Sequence, residues 1–189
     1  MTTVSIPAWN ELGLLPPIDP ELPTNPQRSP YLVTLLDVVM RFSTTPERRK
    51  VLTGLLDYRA ALHKVGLCQG FQWLDGSFLE DIETLERRPP KDIDVVSFIR
   101  KPADHAMSDA DLATLDHGAV KMQHAVDSYL VGLDEISAEE AIAASAYWYS
   151  MWSHRRNQAW KGFLQINLTP AEDQQVRQWL SQFDAAGVW

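Results

Sequence analysis

Apolar residues recur at helical spacing in the first third of the chain. Leu32, Leu35, Leu36, Val39 and Met40 give residues 30–42 one apolar face, which predicts a helix. Asp37 and Arg41 lie one turn apart on its polar side and can pair weakly there. Thr45-Pro46-Glu47 then supplies a cap, a proline at the first helical position and an acid in the first turn. The helix it opens runs to about Val65, and Gly66 ends it. Leu52, Leu55, Leu56, Ala60, Leu62 and Val65 form the core side, so Arg48, Arg49, Lys50 and Arg59 are expected on the solvated surface.

The period shortens after Gly66. Residues 70–74 (GFQWL) read as a buried strand that stops at the turn Asp75-Gly76-Ser77. Ser77 is placed to cap a helix over 78–85. A proline-broken loop, 87–91 (RRPPK), leads into a β-branched strand from Ile93 to Ile99. A short helix over 107–115, capped by Ser108, comes next. Residues 124–131 (HAVDSYLV) read as another strand, ending at Gly132. Ser137 caps a helix to about Trp152, whose Ala141, Ala143, Ala144 and Ala146 allow close packing. Residues 163–168 alternate as a strand. Thr169 to Glu172 then caps a last helix with Val176, Trp179, Leu180 and Phe183 on one face.

This order predicts an α/β (α+β) fold, a mixed β-sheet flanked by helices. The 189 residues fit one domain with a sizeable core. Residues 1–29 carry six prolines, which exclude a continuous helix, but also Ile6, Trp9, Leu14 and Leu15. That is too apolar for a disordered tail, so it is expected as an arm packed along the domain or along a partner protein.

A net charge of −8 argues against undirected binding to nucleic acid, though not against a local basic groove. The single Cys68 excludes a disulfide framework and is expected as a buried thiol. No leader pattern and no apolar run of roughly 18 residues is seen, so a cytoplasmic protein without a membrane span is expected. His105, His117 and His124 lack metal-ligand spacing, and no HExxH or CxxC occurs, so zinc is not expected.

The candidate chemistry lies in acids set in apolar strands. Side chains alternate along a strand, so Asp92 and Asp94 share one side. Two crowded carboxylates repel each other, and a hard cation relieves that cost. Asp127 is the only charge inside its apolar run, and a lone acid there needs a partner or a metal. Gly76 and Ser77 form a turn that can offer backbone N–H groups to an anion. The aromatic run 147–152 reads as core packing or as a wall on which a nucleobase stacks. Arg155, Arg156 and Lys161 make a basic patch beside it, suited to phosphates or to a helix C-terminus.

Leu74, Gly76-Ser77 and then Asp92-Ile93-Asp94-Val95 resemble the signature of the nucleotidyltransferase superfamily that includes DNA polymerase β, the minimal nucleotidyltransferases and the cGAS-like enzymes. The chain is also similar to a poorly characterised bacterial family of about this length with DGSF and DIDVV blocks. The resemblance implies a nucleotidyltransferase-like sheet and Mg²⁺ (or Mn²⁺) held by Asp92, Asp94 and Asp127 as the catalytic acids. It implies an NTP whose triphosphate lies on Gly76 and Ser77, with Lys161, Arg155 and Arg156 as further phosphate contacts. NMP would pass to an RNA, protein or nucleotide acceptor, in a bacterial phage-defence or toxin–antitoxin setting. The chain departs from the pattern after Ser77, where FLEDIE replaces a basic or Gly-rich continuation. A catalytically inactive relative that binds a nucleotide or regulates a partner is the alternative, and an antitoxin or assembly subunit is a third.

Overall fold

The computed structural model describes residues 3–102 and 106–185. Strands β1 (Tyr31–Leu32), β2 (Gln69–Asp75), β3 (Ile93–Arg100), β4 (Val126–Gly132) and β5 (Leu164–Asn167) form one sheet of order β1-β5-β2-β3-β4. β2 is antiparallel to β3 and β5, whereas β3–β4 and β1–β5 are parallel pairs. The helices among the described residues are α1 (Leu35–Phe42), α2 (Pro46–Lys64), α3 (Ile82–Glu86), α4 (Asp109–Thr114), α5 (His117–His124), α6 (Ala138–Trp152) and α7 (Asp173–Ala185). The expected mixed sheet flanked by helices is therefore present. No helix among the described residues is long and apolar enough to cross a membrane.

Residues opposite one another in register share a sheet face. One face carries Leu74, Val95 and the polar pair Gln72 and Ser97, which α2 covers. Tyr58 of α2 reaches Ser97, and Arg59 donates to Gln72 at 2.7 Å. The other face carries Phe71, Trp73 and Phe98 in mutual ring contact. Trp148 and Trp152 of α6 extend that aromatic layer through Tyr129 and Phe163. At one end of this second face the aromatics give way to acids.

Several boundaries differ from the sequence expectation. Tyr31 and Leu32 are a strand, so α1 starts at Leu35, with Thr34 as its cap. Asp37 bonds the Thr34 cap rather than Arg41, whose guanidinium lies 4.2 Å from the Trp9 ring centroid. Residues 117–124 are a helix, so β4 begins at Val126 rather than His124. Ala143 and Ala146 are exposed, and α6 buries itself through Trp148 and Trp152 instead of through its alanines. The Glu172 side chain reaches the start of α1, accepting from Leu35 N at 2.8 Å, while its carbonyl accepts from Val176 N in the first turn of α7. Cys68 is only half-buried. His105 lies outside the described residues. The caps at Thr45, Ser108 and Ser137 form as expected.

The largest correction concerns Arg48 and Arg59, expected at the surface and found fully buried. Arg48 donates to Glu83, to Phe78 O and to Glu80 O, at 2.6–2.7 Å. Arg59 donates to Asp173, Gln72, Asn167 O and Thr169 O. Each guanidinium fork thereby replaces its hydration with protein acceptors, which is the condition for burying a charge. The proline-rich arm is ordered against the domain: Leu14 and Leu15 are buried, and Trp9 Nε1 donates to Leu79 O at 2.7 Å.

Candidate functional site

Register brings three carboxylates side by side. Asp75 ends β2 opposite Asp94 of β3, and Asp94 is the partner of Asp127 on β4. Strands lie roughly 4.8 Å apart, so the three acids crowd one edge of one face. Asp92 precedes β3 rather than lying in it, and it stands nearer solvent with its side chain 32% exposed.

Gly76 follows Asp75 with φ 89° and ψ −175°. A Cβ there would stand 2.7 Å from Asp94 Oδ2, so glycine is needed both for the backbone angle and for the space. Ser77 does not cap a helix over 78–85 as expected. The turn makes a short 3-10 segment over Ser77–Leu79 with no side-chain cap, and α3 starts only at Ile82. From behind, Arg48 and Trp9 hold the carbonyls of Phe78, Leu79 and Glu80, which fixes the turn.

The basic patch is already engaged. Lys161 is buried, 3.0 Å from Asp75 Oδ1 and 3.2 Å from Glu80 Oε1. Arg155 pairs with Glu80 at 3.3 Å and with Glu86. Arg156 is exposed at the rim. The FLEDIE departure thus has a structural meaning: its Glu80, together with Glu86 just beyond it, pairs with Lys161 and Arg155, two of the cations expected to meet phosphate.

Electrostatics separates the acids. Burial pushes the Asp75 carboxyl up to about 7, with Lys161 opposing and Asp94 adding to the rise. Burial outweighs the ion pair because Lys161 is shared with Glu80. Burial also lifts Asp94 to about 6, reinforced by the charges of Asp127 and Asp92. For Lys161, burial works against the charge, but Asp75 and Glu80 outweigh it and raise the ammonium above its usual range. Among the described residues no hydrogen bond or ion pair satisfies the Asp94 carboxylate. Among the described residues, buried Asp75 Oδ1, Glu80 Oε2 and Asp127 Oδ1 likewise accept no hydrogen bond, although a nitrogen of Lys161, Arg155 or His117, respectively, lies within 3.0–3.3 Å of each.

These groups line a cavity of about 780 Å³. Seven of the eight sequence-predicted residues meet there: Gly76, Ser77, Asp94, Asp127, Arg155, Arg156 and Lys161. Asp92 does not reach the lining. Tyr129, Met151 and Trp152 also line the cavity. Within the aromatic run, Trp148 and Trp152 both pack into the core, the first of the two expectations, and Trp152 also contributes to the cavity lining. The sequence reading missed Asp75, Glu80, Tyr129 and, on α5, Lys121 and His117. An acid closing the apolar run GFQWL was the available signal for Asp75.

Hard carboxylate oxygens are the donor type that Mg²⁺ or Mn²⁺ takes. Asp94 lacks a partner, and the glycine beside it keeps its approach open, which fits such an ion. Among the described residues, however, no three His, Cys, Asp or Glu side chains are gathered as a ready cage. Lys121 lies between two of the acids, paired with Asp127 and 3.5 Å from Asp92.

No curated protein and no solved structure matches the chain. A family model does match residues 7–167, from the N-terminal arm through β5, a span that contains every carboxylate of the site, and the chain therefore belongs to the family of unknown function DUF6932.

Proposed function

We propose that the protein is a metal-dependent nucleotidyltransferase that transfers NMP from an NTP to an acceptor. One observation carries the reading: Asp94 and Asp127 are register partners on parallel strands, and Asp94 abuts the Gly76 turn without a partner of its own. That arrangement suits the resemblance of the Gly-Ser and Asp-Ile-Asp-Val segments to nucleotidyltransferases. The cavity supports it further, since acids, cations and the apolar or aromatic Tyr129, Met151 and Trp152 all line it. Its size is within the range of small-ligand sites.

Asp92, Asp94 and Asp127 would hold Mg²⁺ or Mn²⁺. When bound, the cation supplies charge neutralisation for an in-line displacement at phosphorus. The chain's own residues bind and orient. The turn at Gly76 and Ser77 would meet the phosphates, and the exposed Arg156 would add a further cation. Tyr129, in the lining, is the aromatic ring that a base would pack against. Asp127, on the edge strand β4, would orient an acceptor hydroxyl.

A second reading has an observation in its favour. Lys161 and Arg155 are neutralised by Asp75, Glu80 and Glu86, which suits a nucleotidyltransferase-like domain that binds without transfer. Incubation with Mg²⁺ or Mn²⁺ and each labelled NTP, with and without total RNA and cell lysate, separates the two. Label in a product, lost in Asp94→Asn, is the result expected of the enzyme. Nucleotide binding without transfer by either protein favours the second reading. Acceptor identity, and a defence or toxin–antitoxin setting, would follow from the labelled product.

A further inference from the structure

The site contains its own cation. α5 turns two side chains one helical turn apart, His117 and Lys121, toward Asp127. The Lys121 ammonium pairs with Asp127 Oδ2 and stands 3.5 Å from Asp92 Oδ2. His117 Nε2 lies 3.3 Å from Asp127 Oδ1. The ring is held in that orientation from its far side, where Nδ1 lies 2.9 Å from Ser128 O; a carbonyl only accepts, so Nδ1 is the donor. Both oxygens of Asp127 therefore face α5. A cation shared by Asp92, Asp94 and Asp127 needs oxygens that Lys121 now holds.

We propose that Lys121 is the resident counter-ion of the carboxylate site, sets its metal affinity by competing for Asp92 and Asp127, and withdraws when a divalent ion enters. The proposal rests on the metal-site reading above. Its geometry allows the exchange. Lys121 is 45% exposed in the last turn of α5, so its flexible stem can swing to water, and Asp92 is also near the surface. Asp94, deeper and unpaired, stays in place as the fixed ligand. The crowding of acids is then eased without metal, because the single positive charge of Lys121 is shared between Asp92 and Asp127.

The test is Mn²⁺ binding to the full chain by calorimetry, checked by the electron paramagnetic resonance of free Mn²⁺, at one fixed pH and salt. The proteins are wild type, Lys121→Met, Lys121→Arg and Asp94→Asn. An exposed ion pair is worth up to about 1 kcal/mol, so Lys121→Met should bind Mn²⁺ about fivefold tighter than wild type. Lys121→Arg keeps the charge and should bind no tighter than wild type. Equal or weaker binding by Lys121→Met, or equal tightening by both Lys121 variants, overturns the counter-ion role while wild-type binding upholds the metal site. Absence of Mn²⁺ binding in wild type and Lys121→Met alike overturns both. Binding unaffected by Asp94→Asn places the ion elsewhere and also overturns both.

Discussion

Buried charge occurs in two regions of this protein, on opposite faces of the same sheet, and it is treated in opposite ways. On the α2 side, Arg48 and Arg59 are saturated with acceptors: carboxylates, an amide and backbone carbonyls, all close. On the other side, Asp75, Asp94 and Asp127 stand in register, short of donors, with two of them pushed toward neutrality. The first region is complete as it stands and ties distant segments together: α2 to the Gly76 turn, and α2 to the start of α7. The second is incomplete as it stands. Folding alone gives no reason to collect repelling acids, so the contrast distinguishes structural charge from charge kept for a ligand.

Removing a saturated charge should cost the most. Arg59→Met leaves Asp173 and Gln72 without their donor, and a loss of about 3–5 kcal/mol is expected in urea unfolding. A loss below about 1 kcal/mol would mean that Arg59 is not structural and would dissolve the comparison.

Removing an unsatisfied charge should do the reverse. The folded-state pKa of Asp94, about 6, lies above its ordinary 3.8. Its contribution to stability is whole below about pH 4 and is lost as pH rises through 6. In metal-free buffer Asp94→Asn should therefore match wild type near pH 4 and exceed it by about 1–3 kcal/mol at pH 8. A variant less stable than wild type at pH 8 would show that Asp94 is satisfied after all.

Gly76→Ala sharpens the boundary between the regions. Positive φ and the contact with Asp94 Oδ2 should cost about 1–3 kcal/mol by thermal melting. Combined with Asp94→Asn the costs should not add, since the same contact is involved. Smallest of all, Arg156→Ala at the rim should change stability by less than about 0.5 kcal/mol, while weakening any nucleotide bound in the cavity.

The residues explain how far sequence alone reached. Caps at Thr45, Ser108 and Ser137 are local chemistry, and they read correctly. Asp94 and Asp127 stood out because an acid inside a β-branched run is out of place wherever that run lies. Asp75 was harder, since its meaning depends on registering against Asp94, nineteen positions later. Arg48 and Arg59 were misread because charge was given more weight than position. They sit at i and i+11 on the stripe that carries Leu52, Leu55 and Leu62, which is the buried stripe. Their acceptors lie up to 114 residues away, which no local pattern reveals. α5 was hidden because HGAVKMQH has one fully buried residue, Val120, and hence no apolar period. Lys121 was lost with it.

The most direct test of the central claim is melting temperature at pH 8, with and without Mg²⁺ and each NTP, for wild type and Asp94→Asn. The carboxylate row read as a cation and nucleotide site predicts that wild type rises with Mg²⁺, and further with one NTP, by mass action. Asp94→Asn should start higher and respond to neither. A wild type indifferent to both, or a variant that responds as fully as wild type, would contradict it.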